Sequence, residues 1–230
     1  MLPFASQCQR LKTKDYKMNR YTVNKFIAGL ARFLSNAFSP LIMPTYGVFV
    51  ALWVSVLCLL PYGRRVAVLL VCMGITCIVP LIFLSVLRHF NLVKDLLIEV
   101  REQRLIPYLF TAFCYGVAAY YLYATCHAPQ WFVMFMVGSA ITVLLMAVIN
   151  IWWKISAHMA GISGVVALIY QIHVQGLSAF DLLWLLCLSV IIGGLLGSAR
   201  MALKQHDIWQ VLAGAVIGFL SVALTMRFLG

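Results

Sequence analysis

Two short runs of residues carry chemistry suited to a phosphate group. The first is Trp153-Lys154-Ile155-Ser156-Ala157-His158, and the second is Ala199-Arg200 followed by His206. Hydrocarbon tolerates ionisable groups poorly, at ~2.5–3.5 kcal/mol per centred charge on insertion scales. A greasy chain that keeps them at the ends of apolar runs suggests a site at a membrane surface. A phosphomonoester needs cations for its oxygens, a nucleophile, and an acid for the leaving group. Arginine offers a planar fork matched to phosphate and lysine a point charge. Candidate cations are Lys94, Arg101, Arg104, Lys154 and Arg200, with Ser156 beside them. Neutral histidine attacks phosphorus, and protonated histidine donates to the departing oxygen. His158 and His206 both fall at expected helix starts, where free N–H groups favour anions.

Taken singly, these residues have plainer explanations. His89, His127 and His173 read as interfacial polar residues. Lysine and arginine near helix ends snorkel to head groups. Lys154, after Trp152 and Trp153, has the look of an aromatic-belt anchor. The combination of Arg200-x5-His206, Ser156-Ala157-His158 and an upstream basic loop is harder to dismiss.

The elements that must position them are membrane helices. The chain has 230 residues, 64% hydrophobic and 10% charged. A soluble domain carries about 25% charged residues. Seven apolar stretches run at roughly 41–61, 66–87, 106–126, 131–153, 159–174, 182–197 and 208–228. About 20 helical residues cross the hydrocarbon, and the fifth and sixth stretches are short. The expected fold is an all-α, polytopic transmembrane helix bundle of six to seven spans with an N-terminal amphipathic helix. Period-two alternation, the mark of a barrel, is missing.

Residues 1–38 form a basic N-terminal segment, and 39–230 a membrane-embedded helical domain. Residues 1–20 lack the long apolar core of a signal peptide. In 21–37, Phe26, Leu30 and Phe33 recur at helical spacing among Lys25, Arg32 and Asn36. That pattern fits a helix lying in the interface, or a solvent-facing helix packed on the bundle. Pro61-Tyr62-Gly63-Arg64-Arg65 reads as a tight turn, and 88–105 as an amphipathic connector leading to Pro107. With seven spans, the N-terminal segment, loop 88–105, the Lys154–His158 junction and the Ser198–Asp207 junction all share one face of the membrane.

The net charge of +11 fits a positive-inside bias and attraction to anionic lipids. No nucleic-acid motif accompanies it. Cys58, Cys72, Cys77, Cys114 and Cys187 read as small buried hydrophobes, and no spacing suggests a metal site.

In these residues the chain resembles the type 2 phosphatidic acid phosphatase superfamily, in a divergent branch of the Bacteroidetes type. That family carries Lys-x6-Arg-Pro, Pro-Ser-Gly-His and Ser-Arg-x5-His-x3-Asp, in this order. The counterparts here, over about 94–218, are Lys94-x6-Arg101-Glu102 (or Arg104-Leu105-Ile106-Pro107), Ile155-Ser156-Ala157-His158, and Ala199-Arg200-x5-His206-x3-Gln210. The entry segment Ser39–Gly47 adds to the likeness to that branch. The resemblance implies that His206 is the nucleophile and His158 the acid. It implies that Arg200 and a basic residue of 94–104 hold phosphate, and that no metal or other cofactor is used. Gln210 stands where the family has the aspartate that orients the nucleophilic histidine. Its amide accepts a hydrogen bond from imidazole but supplies no charge for the imidazolium.

Two functions follow as expectations. One is a membrane lipid-phosphate phosphatase or phosphotransferase, its substrate a membrane lipid. The other is a non-catalytic relative that binds an anionic lipid or acts as a scaffold. A transporter would instead place ionisable residues or breaks at helix midpoints, where only Pro80, Asn150 and Gly193-Gly194 offer hints. The expected location is a bacterial inner membrane. Five basic residues in the first twenty put the N-terminus in the cytoplasm, whereas the resemblance puts the site on the outer face.

Overall fold

The computed structural model describes residues 25–93 and 101–229. Lys94, with the rest of 94–100 in the 88–105 connector, and the basic segment 1–20 lie outside the described residues. Among those described, six helices are long and apolar enough to cross a membrane. The chain is an integral membrane protein, all-α, with a shorter apolar helix before the six.

Helix α1 covers 25–37. Ala31 and Ser35 are buried against the bundle, while Phe26, Leu30 and Phe33 project outward as one apolar stripe. Lys25, Arg32 and Asn36 occupy a third face, also exposed. A helix with an uncovered apolar stripe beside a basic one has the composition of an interfacial helix.

Helix α2, Met43–Val54, holds 12 residues and is followed by a 3-10 turn, Val56–Leu59. Twelve residues of α-helix rise only ~18 Å. The irregular extension makes up the difference. A Cβ on Gly161, near the start of α7 (Ala157–Val174), would strike Met43 at 2.7 Å. At the other end the Val56 N–H donates to Leu177 O at 2.7 Å, and Ser178 Oγ to Val54 O at 2.7 Å. The segment therefore runs the length of α7, and its non-helical N–H is satisfied inside the protein, as hydrocarbon requires.

The turn expected at 61–65 is tighter than the sequence suggests. Pro61 caps helix α3, Tyr62–Met73, so Tyr62 to Arg65 already form its first turn. A π-helical turn, Gly74–Ile78, joins α3 to α4, Val79–His89, giving one 28-residue crossing. Its cause is Pro80, which has no N–H to give and whose ring crowds the carbonyl four residues back. One wide turn absorbs that clash without breaking the helix. Helices α5 (Leu105–Ala124), α6 (Gln130–Ile149), α7, α8 (Leu183–Ala202) and α9 (Ile208–Phe228) complete the bundle. The fifth and sixth apolar stretches are full helices of 18 and 20 residues, longer than their hydrophobic runs.

Helices α7 and α9 pack closest. A Cβ on Gly218 would collide with Ala160 O and Ser163 Oγ, and one on Gly214 would lie 2.5 Å from Ser156 O. This Gly214-x3-Gly218 spacing is the small-residue pattern by which membrane helices approach backbone to backbone. Phe132, Phe135, Leu168 and Ile169 fill the core beside this seam. Of the cysteines expected to be buried, Cys72 and Cys114 are, and Cys58 and Cys77 are half-buried. Cys187 is exposed on α8, a correction. An outward-facing thiol on a membrane helix still meets an apolar surrounding, so apolar context in sequence does not distinguish the two.

Candidate functional site

The bundle brings the candidate residues to one end. The chain passes between the two ends seven times, counting α2 and its extension. This puts the α1–α2 junction, 101–104, 154–158 and 200–206 together. The carbonyl of Arg101 accepts from Asn150 Nδ2 at 2.9 Å, and the Arg101 Nη1 group donates to Trp152 O at 2.6 Å. Ser156 N–H donates to Gln210 O at 3.3 Å. These bonds fasten the start of α5, the α6–α7 link and the start of α9 to one another.

Arg200 and His206 are set by how α8 ends. Leu203 N–H closes onto Ala199 O, and Lys204 then takes the left-handed conformation at φ 54°. Gln205 N–H returns to Arg200 O at 3.2 Å. This is a helix-ending turn in which a left-handed residue reverses the chain. It folds Gln205 and His206 back over Arg200, whose Nη2 donates to Gln205 Oε1 at 2.6 Å. Asp207 then caps α9, its carboxylate accepting from Gln210 N–H at 2.9 Å. The five-residue spacing between Arg200 and His206 is the length of that reversal.

His206 Nδ1 lies 2.8 Å from Gln210 Oε1. With the amide oxygen accepting, Nδ1 carries the proton and Nε2 keeps its lone pair. His206 is buried, and burial pushes its pKa down to about 4. The bond from Gln210 acts in the raising direction, and the charges of Arg200, Lys154 and Arg104 add to the lowering. At neutral pH the ring is therefore uncharged, as a nucleophile must be.

His158 stands in the first turn of α7, its Nε2 3.1 Å from Ser35 O on α1. Arg104 and Arg200 are each 6% exposed, deep burial for guanidinia. Arg104 donates to Ile155 O at 3.4 Å and also meets the Tyr108 hydroxyl. These two arginines and both histidines line one cavity of about 150 Å³, which continues into the bundle between α5, α6 and α7.

The remaining candidates take other places. Arg101, bonded to Trp152 O and 3.5 Å from Glu102, is not part of the cavity wall. Lys154 is half-buried next to the site and acts on His206 through its charge. Ser156 is fully buried, its hydroxyl without a hydrogen-bond partner among the described residues. Lys94 lies outside the described residues. Among the described residues no His, Cys, Asp or Glu cluster is suited to a metal.

Several contributors escape a reading of the sequence. Gln205 sits unremarked inside the Arg200-x5-His206 spacing. The Ser35 carbonyl leaves no sequence signal, because any residue supplies one. The Gly214-x3-Gly218 pair, which brings α9 close to α7 just beyond His206, also goes unremarked, although its small-residue spacing is a sequence signal.

No family model, curated protein or solved structure matches the chain. What the site does must therefore be argued from its own geometry.

Proposed function

We propose that the protein is a lipid-phosphate phosphatase or phosphotransferase of the type 2 phosphatidic acid phosphatase kind, in a bacterial inner membrane. The observation that carries this reading is the shared cavity: a neutral histidine with one free ring nitrogen, a second histidine and two buried guanidinia on one wall. His206 Nε2 would attack phosphorus while the bond to the leaving oxygen breaks. His158, protonated as the anionic substrate binds, would trade its bond to Ser35 O for one to that oxygen and supply the proton. Arg104 and Arg200 would hold the phosphoryl oxygens as charge builds. Water, or an acceptor alcohol, would then take the phosphoryl group from His206 and return a proton to His158. A lipid substrate follows from a site at the ends of long apolar helices.

The test is release of inorganic phosphate from lipid phosphates by the purified protein with a metal chelator present, together with acid-labile, alkali-stable phosphate on the protein. Neither product from any lipid phosphate would remove the enzyme reading.

A second reading has its own support. Gln210 bonds His206 without supplying a negative charge, and Ser35 O already occupies His158. Both suit a site that binds an anionic lipid without turning it over. Saturable phosphate-lipid binding with no release would select it.

A further inference from the structure

We propose that the cavity is also a chain site, and that its ligand is a lipid phosphate with a single tail, threaded between α5, α6 and α7 toward Tyr115 and Phe135. The proposal rests on the phosphate-binding reading of the histidine end and extends it to the tail.

The cavity wall on α5 runs from Arg104 at the polar end to Tyr115, eleven positions further on. On α6 it runs from Met146 to Phe135, again eleven positions. At 1.5 Å per helical residue, both walls are roughly 16 Å deep. The cavity is thus a column along the bundle, with its cations at one end.

Most of its lining beyond those cations is apolar. The hydroxyls of Ser139 and Thr142 donate to Phe135 O and Gly138 O of their own helix, at 2.9 and 2.8 Å. Gly164 leaves the α7 wall without a side chain. Phe135 is 1% exposed, lies against Gly47 and closes the far end with Tyr115.

The volume decides how many tails fit. A water-sized group needs ~10–15 Å³ counted this way, so about 150 Å³ holds on the order of ten such groups. Spread over the column, that is one file of methylenes below a phosphate. Two acyl chains side by side have no room. A two-tailed lipid would have to leave its chains outside and lose the contact that the column offers. For a ligand taken from water, each enclosed methylene is worth roughly a four-fold gain in affinity.

The experiment compares a monoacylglycerol phosphate with the diacyl compound at equal surface fraction in mixed micelles, using wild-type protein. Faster release from the one-tailed substrate is expected, because its tail can enter the column and the paired tails cannot. Equal or faster release from the two-tailed one would overturn the chain site while leaving the phosphatase reading intact. A series of n-alkyl phosphates gives the second arm. Ser139→Leu narrows the column and should move the preferred chain length shorter. Phe135→Ala opens its floor and should move it longer. A profile unmoved in both, with release retained, overturns the proposal. If wild-type protein releases phosphate from nothing, the catalytic reading fails and binding decides the chain site. Dodecyl phosphate, below micelle-forming concentration, should then bind at least ~10-fold tighter than butyl phosphate. Equal binding would overturn it.

Discussion

Both ends of the bundle hold arginines, and they use them in opposite ways. At the α2–α3 turn, Arg64 is exposed and donates to Cys126 O at 3.0 Å, while Arg65 lies 5.2 Å over the Trp53 ring and 5.8 Å from that of Tyr62. Aromatic neighbours and a carbonyl at a helix end are the setting of arginines at a membrane boundary. At the other end Arg104 and Arg200 are buried and share a cavity with two histidines. Burying a guanidinium is costly; the reversal at Lys204 holds Arg200 through Gln205, and Ile155 O and the Tyr108 hydroxyl hold Arg104. The difference teaches that position in sequence, near a helix end, does not separate an anchor from a site. Burial and convergence do.

The sharpest way to break this contrast is to remove the nucleophile. His206→Ala should reduce phosphate release by ~10³-fold or more, since residues acting as a unit lose most of their effect together. Unchanged turnover would end the proposed mechanism, whatever else the cavity binds. Arginine-to-lysine changes test the contrast itself. Arg200→Lys keeps the charge and loses the bidentate fork, and should weaken phosphate-ester affinity by about tenfold. Arg64→Lys should leave it within error. Matching losses at the two positions would mean that bulk surface charge, and no built site, attracts the substrate.

Packing offers a third comparison. Gly218→Leu forces a side chain into Ala160 O and Ser163 Oγ. Overpacking of this kind costs ~1–3 kcal/mol, read as a lower Tm in detergent, and it should also displace His206 from α7. Gly194 on α8 has nothing within 4 Å of a Cβ. Gly194→Ala should be neutral or slightly stabilising, by up to ~1 kcal/mol. Equal losses at both would show that the α7–α9 seam is not special.

Much of the arrangement was legible from residue spacing. Apolar runs separated by polar junctions placed the helices, and counting crossings put 101–104, 154–158 and 200–206 at one end. That count needed the 41–61 stretch to run from one end of the bundle to the other; it does so as a helix of 12 residues, shorter than the six candidate spans, with a bent extension whose Val56 N–H is satisfied by Leu177 O. The pairing of His206 with Gln210 was also readable, since four positions make one helical turn. What could not be read is everything carried by backbone groups. The Ser35 carbonyl on His158 and the left-handed Lys204 have no side-chain signature. Nor does periodicity distinguish the wall residue Arg104 from Arg101, three positions earlier, whose side chain is tied to Trp152 O. Lys94, the first cation of the proposed motif, falls outside the described residues.

The smallest expected effect concerns Gln210. His206 has its pKa lowered from 6.5 to about 4, burial being the chief cause and Gln210 the group that opposes it. A histidine whose pKa falls on folding favours the neutral form, so the fold loses stability as pH drops from about 6.5 toward 4. The nucleophile is lost over the lower part of that window. Wild-type phosphate release should therefore hold from neutral pH down to about 5 and fall as pH approaches 4. In Gln210→Asp a carboxylate replaces the amide 2.8 Å from Nδ1. An adjacent negative charge favours the imidazolium and raises the pKa by about 1–3 units. The acid limb of the pH–rate profile should move up by that amount, with the rate at its optimum changed only modestly. Gln210→Ala removes the raising contact and should move the limb down, or leave it in place with a lower rate as the ring loses its orientation. Arg64→Lys at the other end supplies the baseline against which both shifts are measured. If Gln210→Asp leaves the acid limb where it was while activity persists, the amide does not hold the ring that attacks phosphorus, and the nucleophile must be sought in His158.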